Sequence, residues 1–253
     1  MSQNGRTAIV TGASSGIGRH AAVALLNDGW NVVLTARRLE RLEETLRMSS
    51  HPDNGVCISG EITDETFVKS LFDQTNAGIS SAQAPIEEVP LATFQNVLNV
   101  NLVAPFICTR EAFKIFKAQT PQGGRIINNG SLSAHVPRPL SYAYTTSKHA
   151  ILGLTKCTSL DGRAFNIACT QIDIGNAATE MALRFAKGAL QPDGRLATEN
   201  LLNIEHVAST IVHIANLPPD VTLLEVNIMP TNIPKSSKNA TRDLACGIQI
   251  NLL

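Results

Sequence analysis

Short β-branched runs alternate with stretches of helical periodicity from the start of this sequence. The runs Thr7–Val10, Asn31–Thr35 and Val56–Ser59 are almost continuously apolar, which is typical of strands buried on both faces. Between them lie an Ala- and Leu-rich stretch at Ile17–Asn27 and a stretch at Leu39–Met48 with leucines at helical spacing. This alternation predicts an α/β fold with a doubly wound parallel sheet flanked by helices.

The second half of the chain continues the same alternation. Further helices are predicted at Leu91–Lys117, Ser141–Leu160 and Ile204–Leu217. Further strands are predicted at Arg125–Asn128, Asn166–Ile172 and Leu223–Ile228. Neither an internal repeat nor a Gly/Ser linker divides the chain. We therefore expect a single domain over residues 1–234, followed by a polar C-terminal tail over residues 235–253.

Composition and charge exclude several classes of function. Lys+Arg and Asp+Glu both total 21, so the chain has no net charge and lacks the basic surface of a nucleic-acid or membrane-surface binder. The first apolar run is too short for a secretion signal, and no apolar stretch is expected to span a membrane. The five scattered cysteines and six histidines show no metal-ligand spacing, and the cysteines indicate buried thiols in a reducing compartment. We expect a cytoplasmic protein that binds no nucleic acid, membrane or metal.

A glycine-rich turn follows the first predicted strand and precedes the first predicted helix. It reads TGASSGIG from Thr11 to Gly18. Glycines in this setting allow a tight turn and let backbone N–H groups approach a pyrophosphate at the helix N-terminus. The same letters also match G-x-S-x-G, the nucleophile turn of serine hydrolases, with Ser14 as the nucleophile. The hydrolase alternative is disfavoured because the motif follows the first strand and no HGGG-type oxyanion loop precedes it.

A tyrosine and a lysine lie four positions apart in a predicted helix. Tyr144 and Lys148 therefore project from the same helix face. Ser131 ends a predicted strand thirteen positions before Tyr144, and Asn101 lies on the long helix upstream. Reduction of a carbonyl needs a proton donor at the oxygen, and an ammonium beside a tyrosine hydroxyl stabilises its deprotonated form. The spacing thus points to acid–base chemistry at a carbonyl or alcohol.

Together these motifs resemble the short-chain dehydrogenase/reductase family. The matching segments, in the family's order, are TGASSGIG (Thr11–Gly18), NAG (Asn76–Gly78), VNLVAPF (Val100–Phe106), Ser131, YTTSK (Tyr144–Lys148) and Asn176–Thr179. The resemblance extends from Arg6 to about Ile228 and implies a single-domain Rossmann-like fold. It also implies transfer of hydride between a nicotinamide and a small-molecule carbonyl or secondary alcohol. Members of the family assemble through their two long helices, so the resemblance implies a homodimer or homotetramer.

The resemblance implies a role for each matching residue. Tyr144 would be the acid/base, and Lys148 would bind the nicotinamide ribose. Ser131 would hold the substrate oxygen, with Ser133 as an alternative whose spacing to Tyr144 differs by two. Asn101 would support a water that links Lys148 to solvent. The implied cofactor-binding residues are Gly12, Ser14, Ser15, Gly16, Ile17, Gly18, Arg37, Arg38, Glu61, Ile62, Asn76, Ala77, Gly78, Tyr144, Lys148, Ile174, Gly175 and Thr179.

The end of the second predicted strand indicates which cofactor is used. An NAD site places an acidic residue there, where it bonds the ribose 2′-OH. Here Ala36 occupies that position, and Arg37 and Arg38 follow it. A guanidinium suits a 2′-phosphate that a carboxylate would repel, so the sequence predicts NADP(H). The alternative is that the two arginines are simply the solvated start of a helix.

Three smaller features depart from the family pattern. Glu61 stands where the family usually has Asp. Gln171–Gly175 reads QIDIG where Pro-Gly is usual, which leaves Asp173 facing either the substrate or a neighbouring loop. The last predicted strand is not followed by the usual Asp-Gly-Gly.

The largest departure is the stretch Gly60–Thr75. It is about a dozen residues shorter than a crossover helix plus the family's fourth strand would require. For Glu65–Thr75 a helix is favoured, because a strand would bury Asp73 and Gln74 where apolar residues belong. The helix leaves the central fourth-strand region of the sheet shortened. A degenerate, non-catalytic NADP-binding homologue is therefore the alternative function.

Overall fold

The computed structural model describes residues 5–72, 84–180, 188–191 and 194–231. In chain order its elements are β1 (Thr7–Thr11), α1 (Gly16–Asn27), β2 (Asn31–Ala36), α2 (Leu39–Arg47), β3 (Gly55–Ser59), α3 (Glu65–Phe72), α4 (Leu91–Leu98), α5 (Ala104–Ala118), β4 (Gly124–Asn129), α6 (Tyr142–Gly162), β5 (Ile167–Ile174), β6 (Ala189–Leu190), β7 (Leu196–Ala197), α7 (Ile204–Ala215) and β8 (Glu225–Ile228). Every helix and strand predicted from periodicity is present, with small shifts at the ends. The predicted tail, residues 235–253, lies outside the described residues.

Parallel pairing confirms the α/β architecture. Strands β1, β2 and β3 form one three-stranded parallel sheet, and β4, β5 and β8 form another. Helix α1 beside the first sheet packs against α7 beside the second. Ile17 of α1 also joins the apolar cluster formed by Ile172 of β5 and Val207 of α7. The loop after β5 consequently reaches the glycine-rich turn at the carboxyl end of β1, where Thr179 lies against Gly16.

The middle of the sheet is the least complete part of the described fold. All residues of β5 are buried, whereas β1 and β4 are only partly buried. Within the described ranges β1 pairs only with β2, β4 pairs only with β5, and no strand lies between β1 and β4. Residues 73–83, which include Asn76, Ala77 and Gly78, lie outside the described ranges.

The predicted helix over the first part of Glu65–Thr75 is confirmed as α3. Val68 and Leu71 are fully buried and pack in one cluster with Ala104 and Ile107 of α5. At the start of α3, Glu65 pairs with Lys69 at 2.9 Å and with Arg110 at 2.8 Å. Hydrogen bonds from these two cations lower the pKa of Glu65 to about 2. Apolar burial and ion pairs together hold the short crossover as a helix.

Helices α4 and α5 run as one helix through a π-helical turn at Asn99–Val103. Pro105 has no backbone N–H to donate to the carbonyl of Asn101, four residues earlier, and its ring crowds that carbonyl. Widening the turn relieves this conflict, and single π turns of this kind often mark functional sites. One continuous helix over Leu91–Lys117 was predicted, so the π-helical turn is a correction to that prediction.

No apolar stretch was predicted to be able to span a membrane. This prediction is wrong, because one helix is long and apolar enough to do so. The helix Leu91–Ala118 is long enough, and its most apolar 18-residue window has a mean hydropathy of 1.3. However, Asn101 and Glu111 of this helix are buried, and Glu111 is paired with Arg110 and Lys114. Core helices also satisfy this criterion, so one such helix is weak evidence for a membrane span.

The cysteines are less uniformly buried than the sequence analysis expected. Cys108 and Cys169 are buried, but Cys57 is half-buried and Cys157 is exposed; Cys246 lies outside the described residues. Burial raises the pKa of Cys169 to about 12. The prediction of buried thiols is therefore correct for Cys108 and Cys169 and wrong for Cys157.

Candidate active site

The turn between β1 and α1 has the backbone geometry of a phosphate-binding loop. Gly12 and Gly16 have φ of +60° and +52°, a region that L side chains rarely adopt. A Cβ on Gly18 would lie 2.5 Å from the carbonyl oxygens of Gly12 and Thr11. Ser15 is extended and begins α1, so the first N–H groups of the helix point out of the turn. A pyrophosphate would fit against these amides and the positive end of the helix.

Two polar side chains from the neighbouring helices brace this loop. The fully buried Thr45 of α2 donates from its hydroxyl to the carbonyl of Ala13, at 2.8 Å. Arg19 of α1 donates to the carbonyl of Ser14 at 2.7 Å and to the hydroxyl of Thr45 at 3.0 Å. Sequence analysis missed this brace, because polar residues on amphipathic helices give no sign of long-range partners.

Ser14 lacks the surroundings of a hydrolase nucleophile. Such a serine needs a histidine within hydrogen-bonding reach. Ser14 is buried, and its hydroxyl makes no hydrogen bond to the described residues. His20, six positions later, lies against the carbonyl of Gly16 at 2.9 Å instead. The geometry therefore gives no support to the serine-hydrolase alternative.

The residues predicted to bind the adenosine ribose differ in exposure, and some lie on the surface while others are buried in the core. Arg37 and Arg38 are exposed immediately after β2, and Ala36 before them is buried. Glu61 is exposed and lies in the turn after β3. Ile62 is 4% exposed and belongs to the apolar cluster under α3. The arginines are thus free to meet an anion, whereas Ile62 has little surface left for a ligand.

The predicted serine, tyrosine and lysine come together at the carboxyl end of β4. Lys148 is buried, and its Nζ donates to the carbonyl oxygen of Asn129 at 2.7 Å and lies 5.5 Å from the ring centroid of the half-buried Tyr144. Ser131 begins a short turn that packs against α6. Its Oγ accepts the backbone N–H of Ser133 at 3.1 Å, so the two candidate serines belong to one turn.

Asn101 reaches the same helix from the π-helical turn. Its Nδ2 donates to Ser147 Oγ at 3.2 Å, and that hydroxyl donates to the carbonyl of Tyr144 at 2.7 Å. Ser147 directly precedes Lys148. Asn101 is buried and contacts, through Ser147, the part of α6 that carries Tyr144 and Lys148. The structure therefore gathers all four predicted catalytic residues around the first two turns of α6.

The loop after β5 joins this group to the glycine-rich turn. Ile174 is buried at the end of the strand, and the N–H of Gly175 donates to the carbonyl of Ile228 at 2.8 Å. Thr179 is half-buried, and its Cγ2 lies 3.3 Å from the place that a Cβ on Gly16 would occupy. A side chain at Gly16 would press on Thr179. The two loops thus contact each other at the strand ends.

Asp173 faces a neighbouring loop, which resolves the two possibilities left by the sequence. It is fully buried, and its Oδ1 accepts the N–H of Ser131 at 2.7 Å and the side-chain amide of Gln171 at 2.8 Å. Its Oδ2 lies 2.8 Å from His135 Nε2. Ligand atoms of His135, Asp173 and Glu225 lie within 4.8 Å of one another, although the His135–Asp173 separation is that of a hydrogen bond. The meeting of these three residues could not be predicted from the sequence.

An ion pair between the half-buried Arg138 and the buried Glu199 lies beside the loops after β4 and β5. Arg138 donates through both Nη atoms to Glu199, at 2.8 and 2.7 Å. The side chains of Gln191 and Asn176 also donate to this carboxylate. Burial would raise the pKa of Glu199, but the hydrogen bonds from Arg138, Gln191 and Asn176 lower it below its usual value. This cluster ties the 188–202 segment to the loops after β4 and β5, and sequence analysis missed it.

We expect Glu199→Gln to destabilise the protein markedly, because it leaves the half-buried Arg138 guanidinium without its charge partner. Breaking a buried pair costs roughly 3 kcal/mol. Since the folded-state pKa is lowered, the pair contributes fully above pH 4.5, the ordinary value, and its contribution is lost as pH falls through the folded value. Urea unfolding at neutral and acid pH measures this contribution to the free energy of unfolding. The exposed Glu205→Gln is the control, and equal unfolding free energies for both variants at neutral pH would contradict the prediction.

Comparison with known proteins identifies the family. The family model described as short chain dehydrogenase matches residues 6–189. Sulfoacetaldehyde reductase 2 of Chromohalobacter salexigens is 29% identical over 93% of this chain and 98% of its own. The chain belongs to the short-chain dehydrogenase/reductase family. Another member, the short chain dehydrogenase/reductase dpchG of Colletotrichum higginsianum, is 31% identical over 79% of each chain.

Solved structures agree with the fold of this dehydrogenase/reductase. The structure of ElxO with NADP bound superposes with a TM-score of 0.77, at 23% identity, over 89% of this chain and 97% of that one. At that identity the similarity shows the Rossmann-like fold alone. The prediction of the family and of its fold, made from the ordered motifs, is thereby confirmed.

Proposed function

We propose that this short-chain dehydrogenase/reductase is an NADP(H)-dependent oxidoreductase that interconverts a small carbonyl compound and a secondary alcohol. The observation that carries the proposal is the convergence of Ser131, Tyr144 and Lys148 at the end of β4. The loop bearing Thr179 connects that group to a glycine turn shaped for a pyrophosphate. When bound, NADPH would supply the hydride.

The residues of the chain would divide the remaining work between orientation and proton transfer. Ser131 would donate its hydroxyl hydrogen to the substrate oxygen and fix the carbonyl. Tyr144 would deliver a proton to that oxygen as hydride arrives at the carbon, and would recover it from solvent. The ammonium of Lys148, held by the Asn129 carbonyl, would stabilise the deprotonated tyrosine between these events.

The cofactor would lie along the turn from β1 to α1. The amides at the start of α1 would meet the pyrophosphate, and Lys148 would reach the nicotinamide ribose. Thr179 would contact the carboxamide. The exposed Arg37, at the end of β2, is suited to the 2′-phosphate that distinguishes NADPH from NADH.

We expect Arg37→Ala to weaken NADPH binding much more than NADH binding. A charge-assisted hydrogen bond of this kind contributes about 1.5–3 kcal/mol, or roughly ten- to hundredfold in Kd. Fluorescence titration of both cofactors measures the ratio. Arg41→Ala is the matched control, because Arg41 is an exposed cation nearby that already pairs with Glu44 at 2.9 Å. A loss of equal size for NADPH and NADH would refute the assignment of Arg37.

Oxidation of NADPH by a panel of ketones and diketones tests the proposed activity. Turnover by the parent protein that depends on the carbonyl compound would support it. The second candidate, a non-catalytic NADP-binding homologue, is favoured by one observation, the short stretch Gly60–Thr75, which has too few residues for both a crossover helix and a central strand. Tight NADPH binding with no turnover in either direction would favour that candidate.

We also propose that the protein is a cytoplasmic homodimer or homotetramer. Large apolar side chains are exposed along the two long helices, namely Leu91, Val103, Phe106, Ile115 and Leu160. Burying such surface against a second copy would stabilise an assembly. Sedimentation at several protein concentrations measures the oligomeric state, and a monomer at all of them would contradict this part of the proposal.

A further inference from the structure

We propose that Asp173 is a positioning residue that fixes Ser131 through its backbone and, together with His135, makes the serine turn rigid. The inference rests on the proposed function, in which the hydroxyl of Ser131 holds the substrate oxygen. It assigns a role to the position where this chain departs from the family's usual Pro-Gly segment. Asp173 would act through Ser131 and not on the substrate itself.

The surroundings of Asp173 are those of a carboxylate with a specific structural task. A fully buried carboxylate is costly unless hydrogen bonds compensate it. Asp173 is 0% exposed and has three partners, the N–H of Ser131, the Gln171 amide and His135 Nε2, at 2.7 to 2.8 Å. Two of these partners, Ser131 and His135, belong to the turn after β4. One carboxylate on β5 therefore holds both ends of the turn that carries the serine.

Gly130 shows how closely the carboxylate is fitted to this turn. A Cβ at Gly130 would collide with Asp173 Oδ1 and with the side chain of Gln171. The N–H of Gly130 also donates to the carbonyl of Ile172 at 2.9 Å, which continues the pairing of β4 with β5. The backbone thus comes close to the Asp173 carboxylate at Gly130, which leaves room for it because glycine has no Cβ. The next N–H along the chain is that of Ser131.

His135 closes the solvent side of the carboxylate. Its side chain is partly exposed, and Glu225 of β8 lies 3.9 Å from its Nε2. Glu225 is in turn paired with Lys156 of α6 at 3.0 Å. The charged groups that face the imidazole are therefore Asp173 and Glu225, and Lys156 is the charged partner of Glu225. This arrangement limits water access to the hydrogen bond between Asp173 and Ser131.

Without the carboxylate, the N–H of Ser131 would be buried without its acceptor, and the turn would shift. Displacement of an orienting group by about 1 Å can lower a rate roughly hundredfold. We expect Asp173→Ala to reduce kcat by roughly ten- to hundredfold while the Kd for NADPH stays within about twofold. Asp173→Asn keeps an oxygen acceptor for Ser131 and should recover most of this activity.

A double-mutant cycle distinguishes positioning of Ser131 from a general structural role. Asp173→Ala and Asp173→Asn are each measured alone and combined with Ser131→Ala, in single-turnover assays and NADPH titrations. We expect the loss caused by either Asp173 substitution to disappear once the serine hydroxyl is absent. Thr170→Val is the matched control, because Thr170 is fully buried on the same strand and its hydroxyl has no hydrogen-bond partner in the described chain.

Hydrogen exchange provides a readout that does not depend on activity. The peptide containing Ser131 should exchange at least tenfold faster in Asp173→Ala than in the parent, Asp173→Asn or Thr170→Val. If the alanine variant does not fold, His135→Ala, which removes the partly exposed second partner of Asp173 in the same turn, should also raise exchange at Ser131 above that of the parent. A loss of equal size in both serine backgrounds, or unchanged exchange at Ser131, would overturn the inference. If the parent binds NADPH without turnover, the proposed function fails, and the exchange result alone decides whether Asp173 positions the turn.

Discussion

Tyr144→Phe is expected to abolish most of the turnover while leaving NADPH binding unchanged. General acid–base catalysis by one side chain contributes roughly 10²- to 10⁴-fold, and we expect kcat to fall by a factor in that range. The aromatic ring remains, so its packing beside Lys148, with Nζ 5.5 Å from the ring centroid, is retained. Steady-state rates and a fluorescence titration with NADPH separate the two effects.

The other tyrosine of the chain provides the matched control. Tyr142 begins α6 and is exposed, two positions before Tyr144. Tyr142→Phe removes the same hydroxyl from the same helix and should change kcat less than about twofold. Parallel losses in the two variants, or a Tyr144→Phe variant with parental turnover, would contradict the role proposed for Tyr144.

Insertion of an apolar strand before Asn76 is expected to raise both thermal stability and NADPH affinity. In the described residues β1 and β4 each have one unpaired edge, and both strands are only partly buried. The segment Leu-Asp-Val-Leu-Val-Asn would pair with both edges. Each backbone hydrogen bond gained contributes about 1 kcal/mol and each buried Leu or Val side chain about 1.5–3 kcal/mol, against about 1–2 kcal/mol of entropy per ordered residue. A net gain of a few kcal/mol corresponds to a rise in Tm of roughly 5–10 °C.

A flexible insertion of equal length shows whether a gain in Tm comes from strand pairing or only from the longer connection. Six residues of alternating Gly and Ser lengthen the connection but have no apolar side chains to bury, so they should leave Tm unchanged or lower it. Differential scanning calorimetry of the three proteins measures the difference. If the apolar insertion lowers Tm while the parent already melts cooperatively at high temperature, the account of an incomplete central sheet is wrong.

Local patterns in the sequence were sufficient for most of the fold. Strand β5 was predictable from its apolar start at Ile167–Cys169, although its polar residues are buried as well. Helix α7 is capped by Asn203, whose side chain accepts the N–H of Glu205 at 3.0 Å. The helix α3 was also predictable, because the alternative strand would bury polar residues. In each case the information lies within a few neighbouring residues.

Contacts between distant segments were beyond what the sequence could predict. Arg138 and Glu199 are 61 positions apart, and Ser131 and Asp173 are 42 apart. Each of these polar residues is equally compatible with a solvated loop until the tertiary fold brings its partner close. The catalytic group was predictable for a different reason, since Tyr144 and Lys148 are joined by one helical turn and match a family motif.

The central claim is that this protein moves hydride between a nicotinamide and a carbonyl carbon. Isotope transfer is the most direct test of this claim. NADPH with deuterium at both C4 positions of the nicotinamide is supplied with a ketone that the protein reduces, and the alcohol is examined by mass spectrometry and NMR. The account predicts an alcohol carrying deuterium on the former carbonyl carbon in the parent and a large loss of that product in Tyr144→Phe. Stoichiometric NADPH binding with no labelled alcohol, or a product whose carbinol hydrogen comes from water, would contradict it.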